Sequence, residues 1–257
     1  MSHLHDLKII KGLLSEPFIY DDEYFSDMYI ALRLKEGRIY NNSEVAKLPT
    51  VKASHQYYKE WMIRSNSCNK LLHYIKSHGH ICNILDVGCG NGWLTARLAG
   101  VAIESVTGID INTVEIEQAR KVFKKIRRVT FLHGDIRSGV LRDKKFDLIV
   151  FAASIQYFSS LKEIINIALN YLTLQGEIHI IDSHLYRPNE VTAAKQRGKK
   201  YFTNAGFPEM ANHYFHHNVD DLSSFSFSLL NNPRSWLYKL RFRKNPFYWV
   251  VIKNNKP

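Results

Sequence analysis

The run Ile84-Leu85-Asp86-Val87-Gly88-Cys89-Gly90-Asn91-Gly92 constrains the fold more than any other stretch of the chain. A short apolar run ends in an acid, and glycine then recurs at every second position. Such a run reads as a buried parallel strand breaking into a tight turn, because missing Cβ atoms let the backbone bend sharply and let a ligand come close. A helical pattern follows at once, with Leu94 and Leu98 four apart and Gly100 placed to stop it. Strand, glycine turn and helix in that order make a nucleotide-binding element.

Which nucleotide depends on spacing. A dinucleotide fold carries G-x-G-x-x-G, its third glycine packing the helix against the sheet. Here the order is Gly88-x-Gly90-x-Gly92, with Asp86 two residues ahead. That pattern resembles the first motif, D/E-x-G-x-G-x-G, of class I S-adenosylmethionine (SAM) methyltransferases. The downstream segments agree. Ser105 to Ile111 reads as a second strand ending in Asp110, and Val129 to Leu132 as a third leading to Asp135. Phe146 to Phe151 reads as a fourth, ending in Ala152-Ala153-Ser154, and Glu177 to Ile181 as a fifth, ending in Asp182-Ser183-His184. Acids at the ends of successive apolar strands suit binding at the carboxyl edge of an open α/β sheet.

The resemblance implies a cofactor set. Asp86, Gly88, Cys89, Gly90 and Gly92 form the loop, Asp110 accepts ribose hydroxyls, and Asp135 meets the adenine amino group, with Ile111, Ile136 and Ala152 beside them. A helix ahead of the first strand often covers the SAM site in this family. Here an amphipathic helix is expected from about His55 through Leu71, Leu72 and Ile75 to Gly79, which offers Tyr57 and Arg64 to the cofactor. Arg64 has the fork to grip a methionyl carboxylate; its alternative is a surface ion pair.

Intervening helices are read over 113–126 and 160–172, both with apolar residues at helical spacing. Strands alternating with such helices imply a parallel sheet covered on both faces. The expected fold is therefore α/β: a doubly wound, Rossmann-like, seven-stranded and mostly parallel sheet with a C-terminal β-hairpin. Residues 1–80 form an N-terminal helical extension and 81–257 the SAM-binding domain, with an insert at about 220–246 that caps the site. The segment Asn212 to His217, after the turn at Gly206-Phe207, is read as the sixth strand, and Phe247 to Lys253 as the last. Residues 17–50 carry no assignable pattern.

Composition narrows the setting. No apolar run reaches the roughly 18 residues needed to span a bilayer, and Met1 to Asp6 lacks a signal-peptide core. Cys68, Cys82 and Cys89 have no zinc spacing, and a reducing cytoplasm is expected. Cys89 is read as a small loop residue without an activating partner. His213, His216 and His217 raise a metal reading, but no acid or cysteine completes a shell, and no metal is expected. The net charge of +11 gathers at 124–128, 197–200 and 241–244. These clusters read either as solvated surface or as a footprint for an anionic partner such as RNA.

The chemistry is less legible. The SAM sulfonium is an activated donor, so the protein mainly has to align it with a nucleophile and remove a proton. The fourth strand lacks the N/D-P-P-Y/F motif of enzymes that methylate amide or exocyclic nitrogens, and no Pro-Cys motif marks a 5-methylcytosine enzyme. Paired glutamates of a protein arginine enzyme and the Asp-Asn pair of a metal-dependent O-methyltransferase are also missing. By resemblance the chain is therefore of the methyltransferase-11/12 type, acting on an O, N or C atom of a small molecule. An RNA methyltransferase is the alternative, followed by an NAD-dependent oxidoreductase and by a non-catalytic SAM-binding subunit. His184 is the candidate general base, with Tyr157 and Tyr186 as substitutes.

Overall fold

The computed structural model describes residues 19–236, 238 and 245–254. The elements run in the order α1 (Ile19–Lys35), α2 (Asn42–Val45), α3 (Tyr58–Ser77), β1 (Asn83–Val87), α4 (Trp93–Leu98), β2 (Ser105–Asp110), α5 (Thr113–Phe123), β3 (Val129–His133), β4 (Phe146–Ala152), α6 (Leu161–Leu169), β5 (Leu172–Ile181), α7 (Pro188–Asn204), β6 (Phe227–Asn231) and β7 (Trp249–Lys253). The strands form one sheet of order β3-β2-β1-β4-β5-β7-β6. The first five strands pair in parallel, while β7 runs antiparallel to both β5 and β6. The order reverses at β1, and the switch point between β1 and β4 opens a crevice at their carboxyl ends.

Period-two side-chain alternation splits the central strands between two cores. Leu85, Ile149, Phe151, Val250 and Ile252 point to one face, where α6 adds Leu161, Ile164, Ile165 and Ala168. Ile84, Leu148, Val150 and Val251 point to the other, against Trp61, Leu71 and Ile75 of α3 and Leu94 and Leu98 of α4. Thus α3 is an outer layer of the sheet and shares its core. The boundary expected at residue 80 does not separate two bodies.

Two strand expectations need correction. The sixth strand is Phe227–Asn231, inside the expected insert, and residues 212–217 are not in the sheet. The latter segment is bonded to loops instead: Phe215 N donates to Gln156 O, and Tyr186 N to His217 O. The fifth strand starts at Leu172, five residues early, because a register shift opposite Phe146 and Leu148 absorbs residues 173–176. Gly176 permits it, since a Cβ there would lie 2.9 Å from Phe146 O. The basic run 241–244, residues 1–18 and part of the insert lie outside the described residues.

Candidate active site

The site forms where β1, β2, β4 and β5 end. Ala153, just after β4, and Asp182, just after β5, have φ of +55° and +54°, in the left-handed region that L side chains seldom adopt. The kink aims both residues into the crevice, and Ala153 N donates to Ile181 O at 3.0 Å. In the glycine turn, a Cβ on Gly88 (φ +72°) would stand 2.5 Å from the Cβ of Ser154, and one on Gly90 (φ +51°) 3.0 Å from Glu115 Oε2. Only glycine fits at either position.

Three chambers meet here, and Ala153 borders all of them. The first, about 370 Å³, is lined by Gly88, Gly90, Asp110, Ile111, Asp135 and Ile136, and roofed by Phe25, Ser26 and Tyr29 of α1. The second, about 120 Å³, lies between α3 and the glycine turn, among Arg64, Asp86, Cys89, Asn91 and Ala152. The third, about 380 Å³, is walled by α1 and α7 and contains Arg33, Tyr157, Asp182, His184 and His216. After the short helical turn that ends at Asn212, residues 213–216 pass between two chambers: His213 and Phe215 line the first, Tyr214 and His216 the third.

The carboxylates are tuned by burial. Asp110 accepts from Gly90 N and Asn112 N, both at 2.8 Å, one on each oxygen. Each oxygen keeps a lone pair for a ligand hydroxyl. Burial raises its pKa, and those backbone bonds offset part of the rise. Among the described residues the Glu115 carboxylate has no hydrogen-bond or ion-pair partner. Burial, then the charge of Asp110, pushes it to about 8. Asp86 is buried, accepts from Thr95 Oγ1 at 2.7 Å, and is pushed by burial to about 7. Asp182 accepts from Ser67 Oγ at 2.6 Å, and burial raises it to about 6. The site thus stores carboxylic acids that a cationic ligand would ionise.

Most expected residues converge. Asp110, Ile111, Asp135 and Ile136 share the first chamber, Asp86, Cys89, Ala152 and Arg64 the second, and Gly88 and Gly90 line both. Arg64 pairs with Glu60 across one helical turn at 3.1 Å, as the ion-pair alternative expects, while it lines the second chamber. Asp135 is held by the Arg137 guanidinium at 2.8 Å. Burial raises the Cys89 thiol well above its ordinary value, which leaves it inert. His184 lies in the third chamber, its ring 4.7 Å from that of Phe247.

Two expectations fail. Gly92 does not line a chamber; its absent Cβ would strike the Phe131 ring at 2.5 Å and Ala119 at 2.8 Å, so it packs α4 and α5 over the sheet. Tyr57 is also outside the chambers: its hydroxyl donates to Glu36 O at 2.5 Å and its ring lies under Arg38. Sequence reasoning missed Glu115, in the first turn of α5, and Tyr29 and Arg33 of α1. It also missed Asn91, whose buried Oδ1 has no partner.

A family model described as a methyltransferase domain matches residues 78–226, more than half of the chain. A release factor glutamine methyltransferase of Fusobacterium nucleatum is 41% identical over 71 residues, which cover 26% of this chain and 20% of that protein. A malonyl-acyl-carrier-protein O-methyltransferase of Acetivibrio thermocellus is 37% identical over 95 residues, 37% of this chain and 33% of its own. The chain therefore spans less than half the length of these curated relatives. Among solved structures, the plantazolicin methyltransferase BpumL, in complex with a pentazolic desmethyl analogue and S-adenosylhomocysteine (SAH), aligns with a TM-score of 0.54 at 16% identity, covering 92% of this chain and 99% of that one. At that identity the likeness establishes the fold.

Proposed function

Because the chain belongs to the methyltransferase-domain family, we propose that it is a SAM-dependent enzyme that moves a methyl group to a small-molecule acceptor. The observation that carries the reading is Asp110: a carboxylate fixed at the end of β2 by two backbone N–H groups, with a lone pair left on each oxygen at the wall of the first chamber. That is the acceptor pair a ribose diol requires. The remaining donor set fits SAM as well. The unpartnered Glu115 carboxylate and the orphaned Asn91 Oδ1 offer acceptors to a ligand that carries a sulfonium and an ammonium, and Arg64 offers a cation to its carboxylate.

When bound, SAM supplies an electrophilic methyl group on sulfur. What this chain supplies is position, exclusion of water and a place for a proton. Asp110, Asp135 and Ile136 hold the nucleoside end in the first chamber, and Arg64 and the glycine turn hold the amino-acid end in the second. The acceptor occupies the third chamber, which meets the other two at Ala153. Its volume suits a compact molecule. His184 is the base we assign; burial and the nearby Arg197 charge disfavour its protonation, so the imidazole is free to accept a proton. The sequence Ala152-Ala153-Ser154-Ile155 at the end of β4 lacks the motif of amide-nitrogen enzymes, which argues against the reaction named for the Fusobacterium relative. The free thiols Cys68, Cys82 and Cys89 support a reducing, cytoplasmic setting.

Isothermal titration with SAM, SAH and NAD tests the reading. SAM and SAH should bind wild-type protein, NAD should not, and Asp110→Ala should abolish binding. Binding of NAD alone, or of none of the three, overturns it.

A further inference from the structure

The cations of the basic run at 197–200 are exposed, but Arg197 and the half-buried Gly198 border the third chamber. Helix α7 keeps a glycine, Gly198, in its interior, where glycine weakens a helix. A Cβ at this position would stand 3.0 Å from His216 Cε1 and 3.1 Å from Nε2, so the glycine makes room for the imidazole against the helix. His216 lines the third chamber, and its buried Nδ1 has no partner among the described residues. Buried polar atoms are nearly always paired, so an unpaired one in a cavity wall marks a place for a ligand.

Arg197, the neighbouring residue, lines the same chamber and forms no ion pair among the described residues. After burial, the charge of Arg197 acts against protonation of His184, and those of Lys195 and then Arg197 act against protonation of His216. The acids that could neutralise this corner are engaged elsewhere. Glu36 pairs with Arg33 and Arg38, Glu60 with Arg38 and Arg64, and Glu190 with Arg234, while Asp182 is bonded to Ser67. Aromatic rings surround it: His216 lies 5.5 Å from Tyr186 and 5.2 Å from Tyr214 between ring centroids, and Phe247 faces His184.

We propose that Arg197 and His216 grip an oxyanion, carboxylate or phosphate, carried by an aromatic methyl acceptor whose ring lies among Tyr186, Tyr214 and Phe247. The assignment rests on the methyltransferase reading and names its substrate class. Arg197 supplies the charge and the fork, and His216 donates from Nδ1 in the tautomer protonated there. The anion anchors the acceptor at the α7 end of the chamber and leaves the rest of the molecule to extend toward Ala153.

Calorimetry with benzoate, phenyl phosphate and the neutral benzamide, each with and without SAH, tests the assignment on wild-type protein, Arg197→Gln and His216→Phe. At least one anion should bind about tenfold or more tightly than benzamide, the gap expected of a charged hydrogen bond. The better anion identifies the group. Both variants should narrow that gap while SAH binding is unchanged. Failure of both anions to bind, equal affinity for anion and amide, or a gap that survives in both variants overturns the assignment and leaves the cofactor reading standing. Failure of SAH to bind strikes the cofactor reading instead, and the titrations without SAH still decide whether the oxyanion site exists.

Discussion

Replacing Asp86 by asparagine should flatten the pH dependence of stability. Asp86 is 1% exposed, and its carboxyl is pushed from an ordinary 3.8 to about 7 by burial, against one bond from Thr95 Oγ1. The folded state therefore holds a proton that the unfolded chain releases at lower pH. The sign follows from proton counting. Between about pH 4 and pH 7 the native state binds more protons than the unfolded one, so stability falls as pH rises, by up to about 1.4 kcal/mol per pH unit. Across the window the cost reaches about 4 kcal/mol as an upper limit. Asparagine keeps an oxygen for Thr95 and cannot ionise. Any penalty from its extra N–H groups is the same at every pH, so the slope reads the carboxyl alone. Urea unfolding of ligand-free wild-type protein and Asp86→Asn at pH 5, 6, 7 and 8 gives the difference directly. The variant should gain on wild type steadily up to about pH 7 and then level off. Parallel curves would refute the reasoning, because Glu115 and Asp182 are present in both proteins and cancel.

Gly92→Ala should lower stability by about 2–4 kcal/mol, since it combines a positive φ with a clash; an unchanged urea midpoint counts against the packing role given to Gly92. Glu115, with a pKa of about 8, should ionise when a cationic ligand binds. SAM affinity should therefore rise as pH passes from 7 to 9, and Glu115→Gln should remove that rise and weaken SAM more than SAH. Calorimetry at three pH values decides it, and an identical profile in the variant rejects the contact. His184→Ala should cut turnover of an identified acceptor by about a hundredfold or more while SAM binding holds; unchanged turnover, measured as SAH produced, removes His184 as the base.

The central strands were legible because burial on both faces demands continuous apolar runs, as in Leu148 to Phe151, and because β2 and β5 run into Asp110 and Asp182 at the crevice. The same logic could not find β6. It is an edge strand in which only Asn231 is buried and Leu229 half-buried, while Phe227 and Leu230 are exposed, so its inward and outward positions do not match an apolar and polar alternation. The aromatic segment 212–217 carries a stronger signal, yet it packs on helix α7 and on loops and not on strands. Helix α1 was illegible for a related reason. Its buried residues Met28 and Leu32 pack on Phe202 and Met210, 170 or more positions away, within a mainly polar and aromatic helix. Asp110 could be assigned from spacing because a strand end fixes its location. Glu115 could not, since its exposure to the ligand space depends on the glycine turn folding back beside it.

Among the described residues Ala153 is the one common to all three chambers, and much of their lining comes from different parts of the chain. The proposed donor side is walled largely by the ends of β1 to β4, which the sheet itself holds in register, with α1 and α3 laid over them. The acceptor side owes much of its wall to α7 and the segment after it, which no strand pairing constrains. Substitutions in α7 can therefore reshape the proposed acceptor chamber while the glycine turn stays as it is, whereas changes in 213–216, which line both sides, act on the two at once.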